Sequence, residues 1–352
     1  MRRGLAALSL GAALGCGGGR AASVPEVPLP PLHVDRVADL CQAAGLAWLV
    51  DVRPSEIAAH AELIAAIRLL VAEERFDAFA AHNGGLDLRT MKEIAIADYG
   101  KTTLYLARAP LDPGRVEAAF AEHLVTIEGR ALDRKSTRPA AQIVRAWGTA
   151  QDGREQLAIF GVEAAALERG RLGPLRAAEL FAEERLKKAS PALRAVPLAR
   201  VVELLGDAPV RAFAPGPFAD EWGKGLGGLL AASTAVGLGV RIAPADPASA
   251  GARLDATLVL LGAWRNDAPA AMERLSAVFN TLADSALGRL VGLHEPLARP
   301  RVRATDEKDA LLLDVSLDAT LLAGGLRAAT GASIAQIMSF GGGPRALTPG
   351  PK

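Results

Sequence analysis

Four pairs of residues recur along this chain at one separation, 155 positions: Asp112 and Asp267, Val162 and Leu317, Glu163 and Asp318, Gly170 and Gly325. A constant offset carried through separate segments implies one structural unit built twice. The segments around these pairs agree. Pro31-Leu32 opens a helical stretch with Val34, Val37, Leu40 and Cys41, followed by a strand over 46–52. Pro197-Leu198 opens a similar stretch with Val201, Leu204 and Leu205, followed by a strand over 210–213. Thr103–Ala107 and Thr257–Leu261 read as matching strands. Asp112-Pro113 and Asp267 near Pro269 then start helices, because an Asp accepts first-turn N–H bonds and a Pro there gives up no intrahelical donor.

Each half closes on a turn and a strand. Asp152-Gly153 is a strong hairpin signal leading into 156–162, and Asp306–Asp309 leads into the alternation Leu311, Leu313, Val315, Leu317. Glu163–Leu167 and Asp318–Leu322 are expected to begin short helices, and 172–188 a connecting helix. The expected fold is α+β: two similar lobes, 31–190 and 191–340, each an antiparallel sheet built from hairpins and covered by helices. The tail 341–352, with Gly and Pro but few apolar residues, is expected to be disordered.

The first sixteen residues carry the strongest local signal. A basic Met1-Arg2-Arg3 precedes an uncharged apolar stretch from Gly4 to Gly15, and Cys16 follows directly. Twelve apolar residues fall short of the ~20 that span a bilayer core but suit a secretory signal. With Ala13-Leu14-Gly15-Cys16, the segment resembles a bacterial lipoprotein signal peptide. That resemblance implies cleavage of 1–15 and acylation of Cys16, with Gly17 in place of the Asp that often marks inner-membrane retention. An ordinary secretory signal cut further on is the alternative reading. Residues 16–30, with Gly17-Gly18-Gly19 and a Pro-rich end, read as a tether. The segment 53–109, with Asp51-Val52-Arg53-Pro54, Gly85-Leu86-Asp87-Leu88-Arg89 and Glu93-Ile94-Ala95-Ile96-Ala97, is similar to two-lobed exported proteins of unknown function, the DUF3352-like kind. This second resemblance implies fold and export only.

Composition removes several functional classes. Among 352 residues, 40 are basic and 39 acidic, a balance that argues against a nucleic-acid binder. Loss of 1–15 would remove two arginines and leave a charge near −1. The basic residues are 32 Arg and 8 Lys, a skew that fits a GC-rich gene also high in Ala, Gly and Pro. With Cys16 acylated, Cys41 has no partner and reads as core packing.

No motif marks a reaction. Gly100-Lys101-Thr102 resembles the end of a phosphate-binding loop, but Ala95 stands where the first Gly is needed and a strand follows, so a hairpin turn is the better reading. Gly223–Gly228 lacks the dinucleotide-binding pattern. His33, His60, His82, His123 and His294 show no metal-ligand spacing, and His60 and His123 read as surface histidines near Glu62 and Glu122. Ser233, Thr234 and Ser333 have no accompanying elbow. Trp48 and Trp147 read as core. Catalytic, cofactor and metal residues are therefore assigned to none, and Cys16 is the one modification site. The expected protein is exported and anchored by lipid on Cys16 facing the periplasm, with the outer membrane favoured. Its expected role is non-catalytic binding or structure, with a protein or small apolar ligand between the lobes. An exported hydrolase with a dispersed site is the alternative.

Overall fold

The computed structural model describes residues 32–131, 135–137, 142–170, 173–186, 189–243 and 252–330. The signal segment, Cys16, the tether, Ser333 and the 341–352 tail lie outside the described residues. The described chain is α+β. Its strands are β1 (Trp48–Val52), β2 (Glu93–Asp98), β3 (Thr102–Arg108), β4 (Thr126–Ile127), β5 (Arg130–Ala131), β6 (Lys135–Thr137), β7 (Ile143–Ala150), β8 (Gly153–Phe160), β9 (Ala164–Gly170), β10 (Val210–Pro215), β11 (Ser233–Ile242), β12 (Arg253–Gly262), β13 (Ala298–Ala304) and β14 (Ala310–Asp318). Its helices are α1 (Pro54–Ala58), α2 (Ile64–Leu70), α3 (Glu73–His82), α4 (Pro113–His123), α5 (Pro174–Ala182), α6 (Leu198–Leu205), α7 (Asp220–Gly223), α8 (Ala268–Asp284), α9 (Ala286–Leu290) and α10 (Ala319–Thr330).

Twelve strands form one antiparallel sheet in the order β13-β14-β12-β11-β10-β1-β2-β3-β9-β8-β7-β6, while β4 and β5 make a separate small hairpin. From the β1–β10 junction outward, the order reads β1, β2, β3, β9, β8 on one side and β10, β11, β12, β14, β13 on the other. The junction itself is a hydrogen-bonded pair, with Leu49 opposite Phe213 and Asp51 opposite Arg211. The boundary expected near residue 190 therefore does not interrupt the sheet. By sheet position β14 corresponds to β9, since each lies directly beside the third strand of its half. The 155-residue offset instead aligns β14 with β8, so Val162/Leu317 and Glu163/Asp318 do not occupy matching places.

Strand alternation divides the side chains between two faces. On the front face, the 3-10 turn Val37–Leu40, α5 and α6 cover a core that includes Leu49, Leu104, Phe160, Phe213 and Val259. Gly237 permits the close fit of α6, because a Cβ there would come within 2.2 Å of Val201. On the back face, α3 and α4 lie over the first half, α8 lies over the second, and α2 packs with α10 beside Ile242 and Leu254.

Several local expectations change. Residues 164–167 are strand, not helix: Ala164, Ala165 and Ala166 are buried and pair with both β3 and β8. Ladder bonds and burial there outweigh the helix propensity of alanine. The helix after Pro31 is only the turn Val37–Leu40, and the connecting helix is the shorter α5. Asp112 caps α4, its Oδ1 accepting from the N–H groups of Gly114 (2.8 Å) and Arg115 (3.3 Å). Asp267 caps nothing, because a 3-10 turn already leads into α8. Trp48 is not core: it is 38% exposed on the back face.

Candidate functional site

Buried charge occurs in two settings. On the front face it is structural. Glu93 Oε2 accepts from the N–H of Val37 (2.8 Å) and Oε1 from that of Ala38 (3.3 Å), which pins the first 3-10 turn. Glu168 Oε2 does the same for α5, accepting from Leu175 N (2.6 Å) and Gly173 N (3.3 Å). Burial pushes both carboxyls above their ordinary range. At the seam, Arg211 and Arg36 both bond Asp51 Oδ2, and Asp51 and Arg211 are almost wholly buried. Cys41 lies fully buried nearby, its thiol pushed up first by burial and then by Asp51, Glu93 and Asp39, so it stays protonated and unreactive.

The back face of the first half is different. There α3 and α4 stand over β3, β9 and β8 and leave a cavity of about 580 Å³ between helices and sheet. Arg89 anchors α3, bonding Glu73 (2.8 Å), Asp77 (2.7 Å) and Asp87 (2.7 Å) together. Gly84, with φ +66°, fixes the far end of α3 to α4: a Cβ at this position would meet the Val116 backbone at 2.7 Å. The cavity's apolar lining includes Phe79, Val116, Phe120, Leu157, Ala165 and Leu167.

Polar groups enter along one edge. Register places Thr103 beside Arg169, and Arg169 beside Glu155, on the same face of the sheet. Glu155 is buried under the last turn of α4. Its Oε2 lies 2.8 Å from His123 Nε2, and its Oε1 accepts from Arg169 Nε at 2.7 Å. The bond to Glu155 raises the pKa of His123 above its ordinary value against an opposing effect of burial. Burial opposes ionisation of Glu155, but the bonds from His123 and Arg169 outweigh it and hold the carboxyl below its usual range. Tyr105 lines the cavity one row further in, and burial raises its hydroxyl, which remains a phenol at neutral pH. Arg75, His82, Asn83 and Glu122 complete the polar lining.

A histidine oriented by a buried carboxylate can move a proton or hold an anion. The lining residues include no Ser, Thr or Cys, so the cavity offers His123 no hydroxyl or thiol nucleophile other than the Tyr105 phenol. Among the described residues, no three His, Cys, Asp or Glu side chains converge as a metal-binding group.

The residues singled out in the sequence scatter elsewhere. Gly100-Lys101-Thr102 spans the β2–β3 turn, where Asp98 Oδ1 accepts from Gly100 N at 2.8 Å. Gly223–Gly228 belongs to α7 and a following 3-10 turn in which Leu226 and Gly227 have positive φ. His60 pairs with Glu62 at 3.0 Å. His123 pairs with Glu155, thirty-two positions away, rather than with neighbouring Glu122. Its sequence neighbours gave no sign of that partner, which β-sheet register alone brings beneath it. No helix among the described residues is long and apolar enough to cross a membrane. No family model, no curated protein and no solved structure matches this chain.

Proposed function

We propose that this is a lipid-anchored envelope protein whose sheet-centred unit binds a small apolar ligand without transforming it. The observation that carries the binding role is the cavity under α3 and α4. About 580 Å³ of space is within the usual range for a small-molecule site, and a mostly apolar lining with a few polar groups is the usual form of one. The proposed anchor is Cys16, supported by the basic, apolar and small-residue sequence before it. Several buried acyl chains hold a protein at a membrane far more firmly than one. Export, the periplasmic face and the outer membrane belong to the same proposal.

The binding role is tested with a neutral solvatochromic dye, Nile red, titrated into the purified full chain. Saturable one-to-one binding is expected, with Ala165→Phe, which fills the cavity floor, abolishing it. Wild-type protein that binds no dye, or an Ala165→Phe variant that binds it equally, would sink the reading. The anchor is tested by metabolic labelling with a fatty acid: Cys16→Ser should remove label and membrane association together. Unchanged labelling would exclude acylation of Cys16.

The His123–Glu155 pair favours one second reading, a hydrolase. It predicts turnover of chromogenic esters that disappears in His123→Ala. The missing lining nucleophile places this reading second.

A further inference from the structure

We infer that the cavity's ligand is an anionic amphiphile with one long acyl chain, its head held by Arg75 and His123 and its chain running along a single row of the sheet from Tyr105 toward Leu238. This inference rests on the binding role proposed above and adds the class of ligand.

The head is argued from charge. In the first half, Arg53, Arg89, Arg145 and Arg169 each meet a carboxylate. Arg75, an exposed residue that lines the cavity from α3, meets no carboxylate among the described residues. The contact of Gly84 with Val116 joins the C-terminal end of α3 to the N-terminal half of α4. Arg75 precedes that contact by nine residues and His123 follows it by seven, so each stands ~10 Å or more along its helix from the junction. Glu155 engages Nε2 of His123, so Nδ1 is the ring nitrogen that remains for a ligand. His82, two residues from Gly84, stands at the junction end instead, its Nδ1 tied to Ala78 O at 2.6 Å. Glu122, exposed on the outside of α4, is the opposing charge among the lining residues. Arg75 and the half-exposed His123 line the same cavity away from that junction, and a cationic pair of this kind suits a carboxylate or phosphate.

The chain is argued from register. Tyr105 lies opposite Ile96, Ile96 opposite Val50, Val50 opposite Ala212 and Ala212 opposite Leu238. These five positions share the back face, and the four beyond the cavity are apolar. None of the four is fully buried, and Leu238 is 40% exposed. The cavity floor thus continues across the seam as an apolar track between the helix layers of the two halves. Four strand spacings from Tyr105 to Leu238 cover about 19 Å at ~4.8 Å each, which is about the length of a sixteen-carbon chain. A compact apolar ligand would leave this track unused, and a bulky one would not enter beneath α3 and α4.

The test is displacement of Nile red from the full chain by palmitate, octanoate, lysophosphatidylglycerol and neutral monopalmitoylglycerol. Palmitate or lysophosphatidylglycerol is expected to displace the dye at least tenfold better than either monopalmitoylglycerol or octanoate. Preference between those two anions identifies the head as a free carboxylate or a phosphodiester. Arg75→Ala should weaken the preferred anion about tenfold while leaving monopalmitoylglycerol unchanged. Leu238→Gln, at an exposed position that tolerates it, should weaken palmitate but not octanoate. Equal displacement by neutral and anionic lipids, or an Arg75→Ala variant that behaves as wild type, would overturn the anionic head. Equal affinity for octanoate and palmitate would overturn the track. In those cases dye binding itself persists and the binding role stands, whereas absence of dye binding removes both.

Discussion

The two halves of the sheet share a strand order and differ in what their back faces hold. In the second half, β14 sends Leu311, Leu313, Val315 and Leu317 toward α8, whose Leu275 and Phe279 fill the space above, with Trp264 sealing one side through a bond from Nε1 to Leu260 O at 3.0 Å. In the first half, the corresponding strand β9 presents Ala165, Leu167 and Arg169 beneath α3 and α4. Alanine where the other half has branched aliphatics leaves room, and a cavity remains because helices do not collapse fully onto small residues. One strand order thus supports a filled layer and a hollow one, and the difference lies in side-chain volume and in the helices that cover each half.

The largest expected effect would come from the seam that joins the halves. Arg211→Ala leaves Asp51 buried with only Arg36 as a charged partner, and removing one member of such a pair costs about 3–5 kcal/mol. Denaturant unfolding should show this loss in a single transition for both halves, since β1 and β10 share backbone bonds. Two separate transitions would show that the halves are more independent than their common sheet implies.

Next comes the contrast between solid and hollow layers. Leu275→Ala in the second half should cost about 2–5 kcal/mol, as for other buried leucines. Ala165→Leu in the first half should change stability by less than about 1.5 kcal/mol, because the added methyl groups enter existing space. The same denaturation series measures both, and a comparable loss at Ala165 would mean that the cavity is not available volume.

The smallest expected effect is electrostatic. His123 has a raised pKa in the folded protein, so its contribution is complete below about pH 6.5 and fades as pH rises through the folded value. Glu155 has a lowered one, so its contribution is complete above about pH 4.3 and fades as pH falls through its folded value. The pair should therefore stabilise most between those limits, by about 1 kcal/mol or less given the exposure of His123. Glu155→Gln should lower the His123 pKa toward about 6.5, read from its ring-proton NMR titration. A His123 titration unmoved by this change would remove Glu155 as the cause.

Much of the local structure could be read along the chain. The alternation in 311–317, the turn at Asp152-Gly153 and the Asp112 cap each depend on residues within a few positions, and the structure places them as expected. The strand at Ala164–Gly170 could not be read, because three alanines favour helix until β3 and β8 supply partners on both sides. The site was the least legible part. Its core joins His123 to Glu155 and Arg169 across 32 and 14 positions, and no local pattern encodes such distances.

By itself the sequence determined the composition of the elements, the antiparallel α+β class, and a signal-like start ending at Cys16. These follow from short-range periodicity, turn chemistry and charge, which act through neighbouring residues. The tertiary structure decided that both halves share one sheet, that a hollow lies beneath α3 and α4 in the first of them, and that its charged edge adjoins an apolar track across the seam. Those features depend on register and on which side chains meet between layers, and both are set by contacts between residues far apart in the chain.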